Sequence, residues 1–333
     1  MSESVRANVI VRAAAPADRR AGSSSFAEGP TSPFDPHFGA IDVGSNAARL
    51  KVARLAAGGL HVVHTERVAI ASGAAVFRDG LVGAEVARQL VETLARFAET
   101  CRFYRAPVRA IATSALRNAA DRDTVVARVF ETTGLTLEIV SGLDEARLAC
   151  LGVRGGAERD ERALCIDVGG GSTEVVLARG EQPERLWSGE LGAVRLAQSY
   201  GDDLTALRAA SAHAVAELAG DVVASSELAT AIGCSGSVRA LIDFATERAR
   251  DWATVHEVGG AAEELARMKA KRRLRFFSAA RVQTIVPAAA ILEAVLRRYG
   301  VYAVRATRRG LRDGILLELA RASVATPAQI ARG

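Results

Sequence analysis

Two similar α/β lobes are what this sequence predicts, on three observations. Ile41-Asp42-Val43-Gly44 returns as Ile166-Asp167-Val168-Gly169, an offset of 125 residues, and in the same register Ala53-Arg54 returns as Ala178-Arg179. Six identities in fourteen positions, set at both ends of one strand-turn-strand pattern, mark an internal duplication whose period is too long for a solenoid. Each copy is followed by alternating strand-like and helix-like segments, as in a mixed α/β sheet. Finally, 333 residues at 49% hydrophobic and 24% charged suffice for two domains with cores of their own.

The elements follow in order. Residues 1–37 mix Ala, Arg, Ser, Pro and Gly, and Pro16, Pro30, Pro33 and Pro36 interrupt any regular element, so a disordered extension is expected. The first lobe is read as 38–153. "GAIDVG", "ARLKVARL" and "LHVVHTERVAI" form an antiparallel meander. Val86, Leu90, Leu94 and Phe97 lie at helical spacing. "VRAIATSALR" is a strand running into a polar turn, "RDTVVARVFETTG" a helix ended by Gly134, "TLEIVSG" a strand, and "LDEARLACLGV" opens a helix. Arg154 to Arg162 forms an interdomain loop. The second lobe, 162–333, repeats the opening hairpin and adds a helical region at about 203–225. The strand "LATAIGCSGS", largely helical residues 240–298, the strand "VYAVRAT" and a C-terminal helix free to pack back on the first lobe complete it.

Composition excludes some classes. No apolar run approaches the roughly 20 residues that span a bilayer, and the N-terminus has no long apolar stretch of a signal peptide. Cys101, Cys150, Cys165 and Cys234 show no CxxC spacing, which fits reduced thiols in a cytoplasmic protein. His61 and His64, three apart in a strand, are expected on opposite faces and make no metal pair. The net charge of +5 suits an anionic partner without naming one.

The chemistry gathers at the repeated turns. A strand ending in Asp-Val-Gly places Asp167 at the mouth of a cleft, and Gly169, Gly170 and Gly171 bare backbone N–H groups that can cradle phosphate oxygens. Ser172 and Thr173 add donors. The upstream loop offers Asp42, Gly44, Ser45 and Asn46 in the same arrangement, and a third turn offers Gly233, Ser235, Gly236 and Ser237. A carboxylate such as Asp167 is suited to hold the water shell of Mg²⁺ beside phosphate. Neither a P-loop nor a dinucleotide fingerprint is present.

Two lobes that each open on such a hairpin resemble the actin-like (ribonuclease H-like) ATPase superfamily, with the ligand cleft between them. The set "IDVGSN", "ATSALRNA", "SGLDEARL", "IDVGGGSTE" and "GLRDGIL", in order from about Ala40 to Leu319, resembles the exopolyphosphatase/guanosine pentaphosphate phosphohydrolase family. The resemblance implies Mg²⁺-dependent hydrolysis of a terminal phosphoanhydride, with orthophosphate released from polyphosphate, guanosine pentaphosphate or both. It implies Glu145 as the group that deprotonates or positions water, and Arg117 as the cation on the transferred phosphoryl group. Asp167 and Glu174 become acidic groups for metal and catalysis, with Asp42 a third metal carboxylate. Ala47, Cys234, Ser237 and Ala289 depart from the family pattern and bear on substrate fit. The alternatives are an actin-like kinase and a non-catalytic polyphosphate or alarmone sensor.

One basic run, "MKAKRRLRFFSAAR", offers Lys271, Arg272, Arg273 and Arg275 as a path for a long polyanion, or else a solvated helix face. No nucleic-acid motif surrounds it, so nucleic acid is set aside as a partner. A homodimer is left open.

Overall fold

A computed structural model describes residues 10–11, 35–218 and 231–325. The first lobe contains β1 (Ile10–Val11), β2 (His37–Val43), β3 (Ala47–Ala56), β4 (Gly59–Ala69), α1 (Ser72–Asp79), α2 (Ala84–Phe103), β5 (Val108–Ala112), α3 (Ser114–Asn118), α4 (Arg122–Thr133) and β6 (Leu137–Ile139). The connecting helix α5 (Gly142–Arg154) leads to β7 (Arg162–Val168), β8 (Thr173–Arg179), β9 (Gln182–Gly189), α6 (Ala193–Tyr200) and α7 (Leu204–Leu218). Then follow β10 (Ala231–Gly233), α8 (Gly236–Ala245), β11 (Trp252–Thr254), α9 (Val255–Arg267), α10 (Ala270–Arg273), α11 (Ala279–Val282), α12 (Ile285–Arg298), β12 (Ala303–Ala306) and α13 (Leu311–Ala325). Among the described residues no helix is long and apolar enough to cross a membrane.

The duplication is written into the hydrogen-bond register. The sheets run β1-β4-β3-β2-β5-β6 and β11-β12-β10-β7-β8-β9. Ile41 pairs with Leu50 in one, and Ile166 with Val175 in the other, both shifted by the same 125 residues. Each meander also carries a register shift, at Val52/Ala53 and at Leu177/Ala178, again equivalent positions. Bulges that strengthen twist are kept as features of a fold, so their repetition is a structural signature of common descent. The first bulge corrects one expectation. Its extra residue, Val63, brings His61 opposite Arg54 and His64 opposite Val52, so the two histidines share a face.

Ile10–Val11 pair antiparallel with Glu66 and Arg67 on β4. No regular element was expected before His37, but an open sheet edge with free N–H and C=O groups takes an added strand. The remainder of the expected extension, up to residue 34, lies outside the described residues, as does the end of the helical region expected to reach 225.

Each sheet has one core on its outer face. In the first lobe Leu90, Leu94 and Phe97 of α2 and Val125 and Val129 of α4 cover Ile41, Leu50 and Ala110. In the second, Ile285, Ile291 and Leu292 of α12 and Val258 and Leu265 of α9 cover Leu164 and Ile166. Between the two sheets lie α5 and α13. Ile315, Leu316 and Ala320 of α13 pack on Phe38, Ala40 and Ile111 of the first sheet, while Ala146 and Cys150 of α5 pack on Cys165, Val176 and Ala178 of the second.

The two helices cross at backbone contact. A Cβ on Gly152 would lie 1.9 Å from the Gly310 carbonyl oxygen, and one on Gly314 1.9 Å from that of Leu148. Glycine is therefore required at both positions by close approach. Beside them Lys51 Nζ donates to Asp313 at 2.7 and 2.8 Å, joining β3 to the start of α13. The motif Gly310-Leu311-Arg312-Asp313-Gly314 is thus largely a packing motif that sets the spacing of the two lobes.

Candidate active site

The repeated turns close as equivalent hairpins: Gly44 N–H donates to Ala47 O (3.1 Å), and Gly169 N–H to Ser172 O (2.9 Å). They face each other across the cleft. A Cβ on Gly170 would meet Ser45 Cβ at 3.0 Å, and one on Gly171 would meet Ser45 Oγ at 2.8 Å. The loop of glycines is what lets the second lobe's turn lie directly on the first.

The residue opposite the aspartate differs between the copies. In the first lobe Asp42 pairs across the strands with Arg49, whose Nη1 lies 2.9 Å from its carboxylate. The equivalent pair in the second lobe is Asp167 and Glu174, two carboxylates side by side. Like charges opposite each other on a sheet are destabilising, so this pair is maintained against its own repulsion.

Glu145 completes the group from α5. Ser141 caps that helix by accepting from Asp144 N–H at 3.1 Å, and Glu145 follows one position later, turned inward. Asp144 is exposed and serves the helix start. Arg117, on α3, donates to the Val140 carbonyl at 2.8 Å and stands 3.5 Å from Glu145 Oε2. Two segments 28 residues apart are so locked together at the cleft floor.

Burial dominates the electrostatics. It pushes Glu145 from 4.5 up to about 8, against the pull of Arg117 and with added repulsion from Asp167 and Asp42. Glu174, 2% exposed, is driven well above the usual carboxylate range by burial, then by Glu145 and Asp167, against hydrogen bonds from Ser172 and Ser188. Asp167 is raised by burial too, with Arg49 and the Cys234 thiol opposing. Three buried carboxylates, each held above its ordinary range foremost by burial, form a place where a cation is stabilised. Among the described residues no three His, Cys, Asp or Glu groups converge to hold a metal directly. A divalent cation that keeps most of its waters would fit such a donor set, and Asp42, already paired with Arg49, is the weakest of the three expected ligands.

Other expected phosphate-loop residues also have contacts within the fold. Thr173 is buried and donates to Leu191 O. Ser235 caps α8 by accepting from Val238 N–H at 3.0 Å, and Gly233 is needed where a Cβ would meet Val238 Cγ1 at 2.3 Å. Gly236 and Ser237 lie in the first turn of α8. Asn46 accepts from Ile70 and Ala71 N–H through its main-chain carbonyl, and its side-chain Nδ2 would lie 3.2 Å from a Cβ on Gly170. Of the basic run, Lys271, Arg272 and Arg275 are exposed, but Arg273 is not a path residue. It is 2% exposed and bonded to Asp202, Met268 O and Val282 O, because a guanidinium inside a core must satisfy its donors.

In its place the fold assembles a cluster that sequence reasoning missed. Arg49 and Arg67 of the first lobe, Arg239 and Arg281 of the second, and Arg312 of α13 act on one another as like charges. Arg67, Arg239, Arg281 and Arg312 are all held below the usual range, foremost by burial. A guanidinium does not give up its proton in a protein, so the repulsion stands as a cost that an anion between them would relieve.

A model of the Ppx/GppA phosphatase family matches residues 51–322. The chain belongs to that family. Exopolyphosphatase 1 of Mycobacterium leprae is 30% identical over 303 residues, an alignment covering 84% of this chain and 88% of that one. The crystal structure of an exopolyphosphatase-like protein superposes with a TM-score of 0.78 at 23% identity, covering 87% of this chain and 99% of that one. The Aquifex aeolicus Ppx/GppA family member gives 0.74 at 20% identity, with 86% and 98% covered. These likenesses show a shared fold.

Proposed function

We propose that the chain hydrolyses the terminal phosphoanhydride bond of inorganic polyphosphate, releasing orthophosphate. The observation that carries this reading is the meeting of Glu145, Arg117, Asp167 and Glu174 against two opposed glycine turns, with an arginine cluster beyond. Exopolyphosphatase 1 of Mycobacterium leprae, similar over most of both chains, supports the substrate class.

Glu145 takes the proton from the attacking water, and Arg117, held by Val140 O, matches charge on the transferred phosphoryl group. Asp167 and Glu174 would hold hydrated Mg²⁺, which supplies charge neutralisation at the phosphates. Little covalent help is needed in such a transfer; positioning and electrostatics suffice.

Guanosine pentaphosphate presents the same terminal group. The arginine cluster supports polyphosphate, a chain of many charges: Arg49 acts on Asp167, and Arg67, Arg281 and Arg312 each feel Arg49 as a like charge. Replacing Arg67 and Arg281 with glutamine is expected to raise KM for long-chain polyphosphate about ten-fold or more, the equivalent of one or two charge-assisted contacts. KM for tripolyphosphate should change little, and the salt dependence for long chains should flatten. The test of the function itself is orthophosphate release with Mg²⁺ from long-chain polyphosphate and, in parallel, from guanosine pentaphosphate. Turnover of polyphosphate at the higher kcat/KM is expected. Phosphate appearing only when ATP is consumed would establish a kinase instead.

A further inference from the structure

We propose that Arg195 is the positioning residue of the second phosphate loop, and that it ties the aim of that loop to the seam between the lobes. The proposal rests on the phosphate-binding reading of the glycine turn.

The argument starts with three carbonyls. Ala193 N–H donates to Gly169 O at 3.0 Å, Val194 N–H to Gly170 O at 2.8 Å, and Arg195 Nε to Gly171 O at 2.8 Å. All three glycine carbonyls are thus drawn toward the first turn of α6. In a planar trans peptide the C=O and the following N–H point to opposite sides. Each bond to α6 therefore turns one N–H away from it: those of Gly170, Gly171 and Ser172. None of the three has an acceptor among the described residues. They form the row of donors that a phosphate requires.

The first two bonds come from backbone N–H groups that almost any residue would supply at the start of a helix. The third does not. Gly171 O is served by a side chain, and the length of Arg195 brings its Nε there. Gly192, just before, is fixed by the same contact, since a Cβ there would lie 2.3 Å from Gly170 O.

The other side of the guanidinium belongs to the first lobe. Its Cζ lies 3.9 Å from the centre of the Phe77 ring on α1. Arg195 Nη2 is 3.4 Å from Glu190, which accepts from Asn118 Nδ2 of α3, and Gln198 Nε2 donates to Ala74 O at 2.8 Å. Phe77 also backs the glycine loop, where a Cβ on Gly171 would lie 2.4 Å from its Cζ. One side chain therefore holds a loop carbonyl with its Nε and rests its flat face on the opposite lobe, an arrangement that strengthens both contacts when the lobes are together.

The test compares Arg195→Met, which keeps an apolar stem on Phe77 without donor or charge, with Arg195→Lys, which keeps a donor for Gly171 O. Inorganic tripolyphosphate is the probe. Its binding with Mg²⁺ is measured by calorimetry, its hydrolysis by kcat and KM, and each variant's Tm is recorded. The methionine variant is expected to bind about ten- to a hundred-fold more weakly, a loss beyond what a Tm lower by about a few degrees accounts for. The lysine variant should recover most of that loss. Wild-type affinity in the methionine variant would overturn the assignment. So would equal losses in both variants that track a fall in Tm. If the wild type binds tripolyphosphate but releases no phosphate, the hydrolase reading fails, and the binding comparison still decides the role of Arg195.

Discussion

Replacing Glu145 with glutamine is expected to lower kcat by about 10²–10⁴ while making the metal-free protein more stable. The first effect follows from removing the group that takes the proton from water. Arg117 keeps its anchor on Val140 O in the variant, so the cleft floor stays in place. The second follows from burial. The folded protein raises Glu145 from its ordinary 4.5 to about 8, so it binds this proton more tightly than the unfolded chain does. Stability is then greatest below about 4.5 and is lost as pH rises toward 8, where Glu145 must be charged among Asp167 and Asp42. The loss is on the order of a few kcal/mol. The glutamine variant escapes it, so its Tm advantage should be absent at acid pH, grow through that window and level off above it. Thermal melts in EDTA at several pH values check this, and a Tm below wild type at pH 8 would contradict it. Function here is held at the expense of stability, as at many strained sites.

Gly314→Ala is expected, with Gly152→Ala, to be among the most destabilising methyl additions at the described glycines. Its Cβ would stand 1.9 Å from Leu148 O and 2.8 Å from Leu148 C, both backbone atoms of α5. Overpacking ordinarily costs about 1–3 kcal/mol where side chains can move aside. Here no side chain can yield, and α5 and α13 must separate. Because Glu145 rides on α5 and Arg312 on α13, separation would also disperse the site. A loss above about 3 kcal/mol in denaturant midpoint analysis, with activity falling in step, is expected. Alanine at Gly260, inside α9 where a Cβ meets nothing within 4 Å, is the control and should melt at or about a few degrees above wild type.

The hairpin turns and the duplication were legible because their evidence is local. Asp-Val-Gly at the end of an apolar strand says what the backbone does there, and the second copy repeats it in register. The same locality explains the errors. Thr173 has the right hydroxyl for phosphate, but nothing adjacent in sequence reveals that Leu191 O takes its proton. The run at Lys271–Arg275 stood out by density of charge, yet Arg273 is an interior strut. The arginines at 49, 67, 239, 281 and 312 are scattered along the chain and act on one another only through the fold. Arg195 was hidden differently: it sits in an ordinary-looking helix, and only the folded chain shows that its Nε reaches back to Gly171. One signal was available for Arg49. The duplication aligns it with Glu174, and a cation aligned with a proposed catalytic acid marks a position where the two copies have diverged in charge.

The most direct test of the account is a single turnover of inorganic tripolyphosphate with Mg²⁺ in ¹⁸O-labelled water, without ATP, followed by mass analysis of the products. Hydrolysis at the terminal phosphorus, with water activated by Glu145, predicts one solvent oxygen in the released orthophosphate and none in pyrophosphate. Label in the pyrophosphate, or no release of orthophosphate at all, would contradict it.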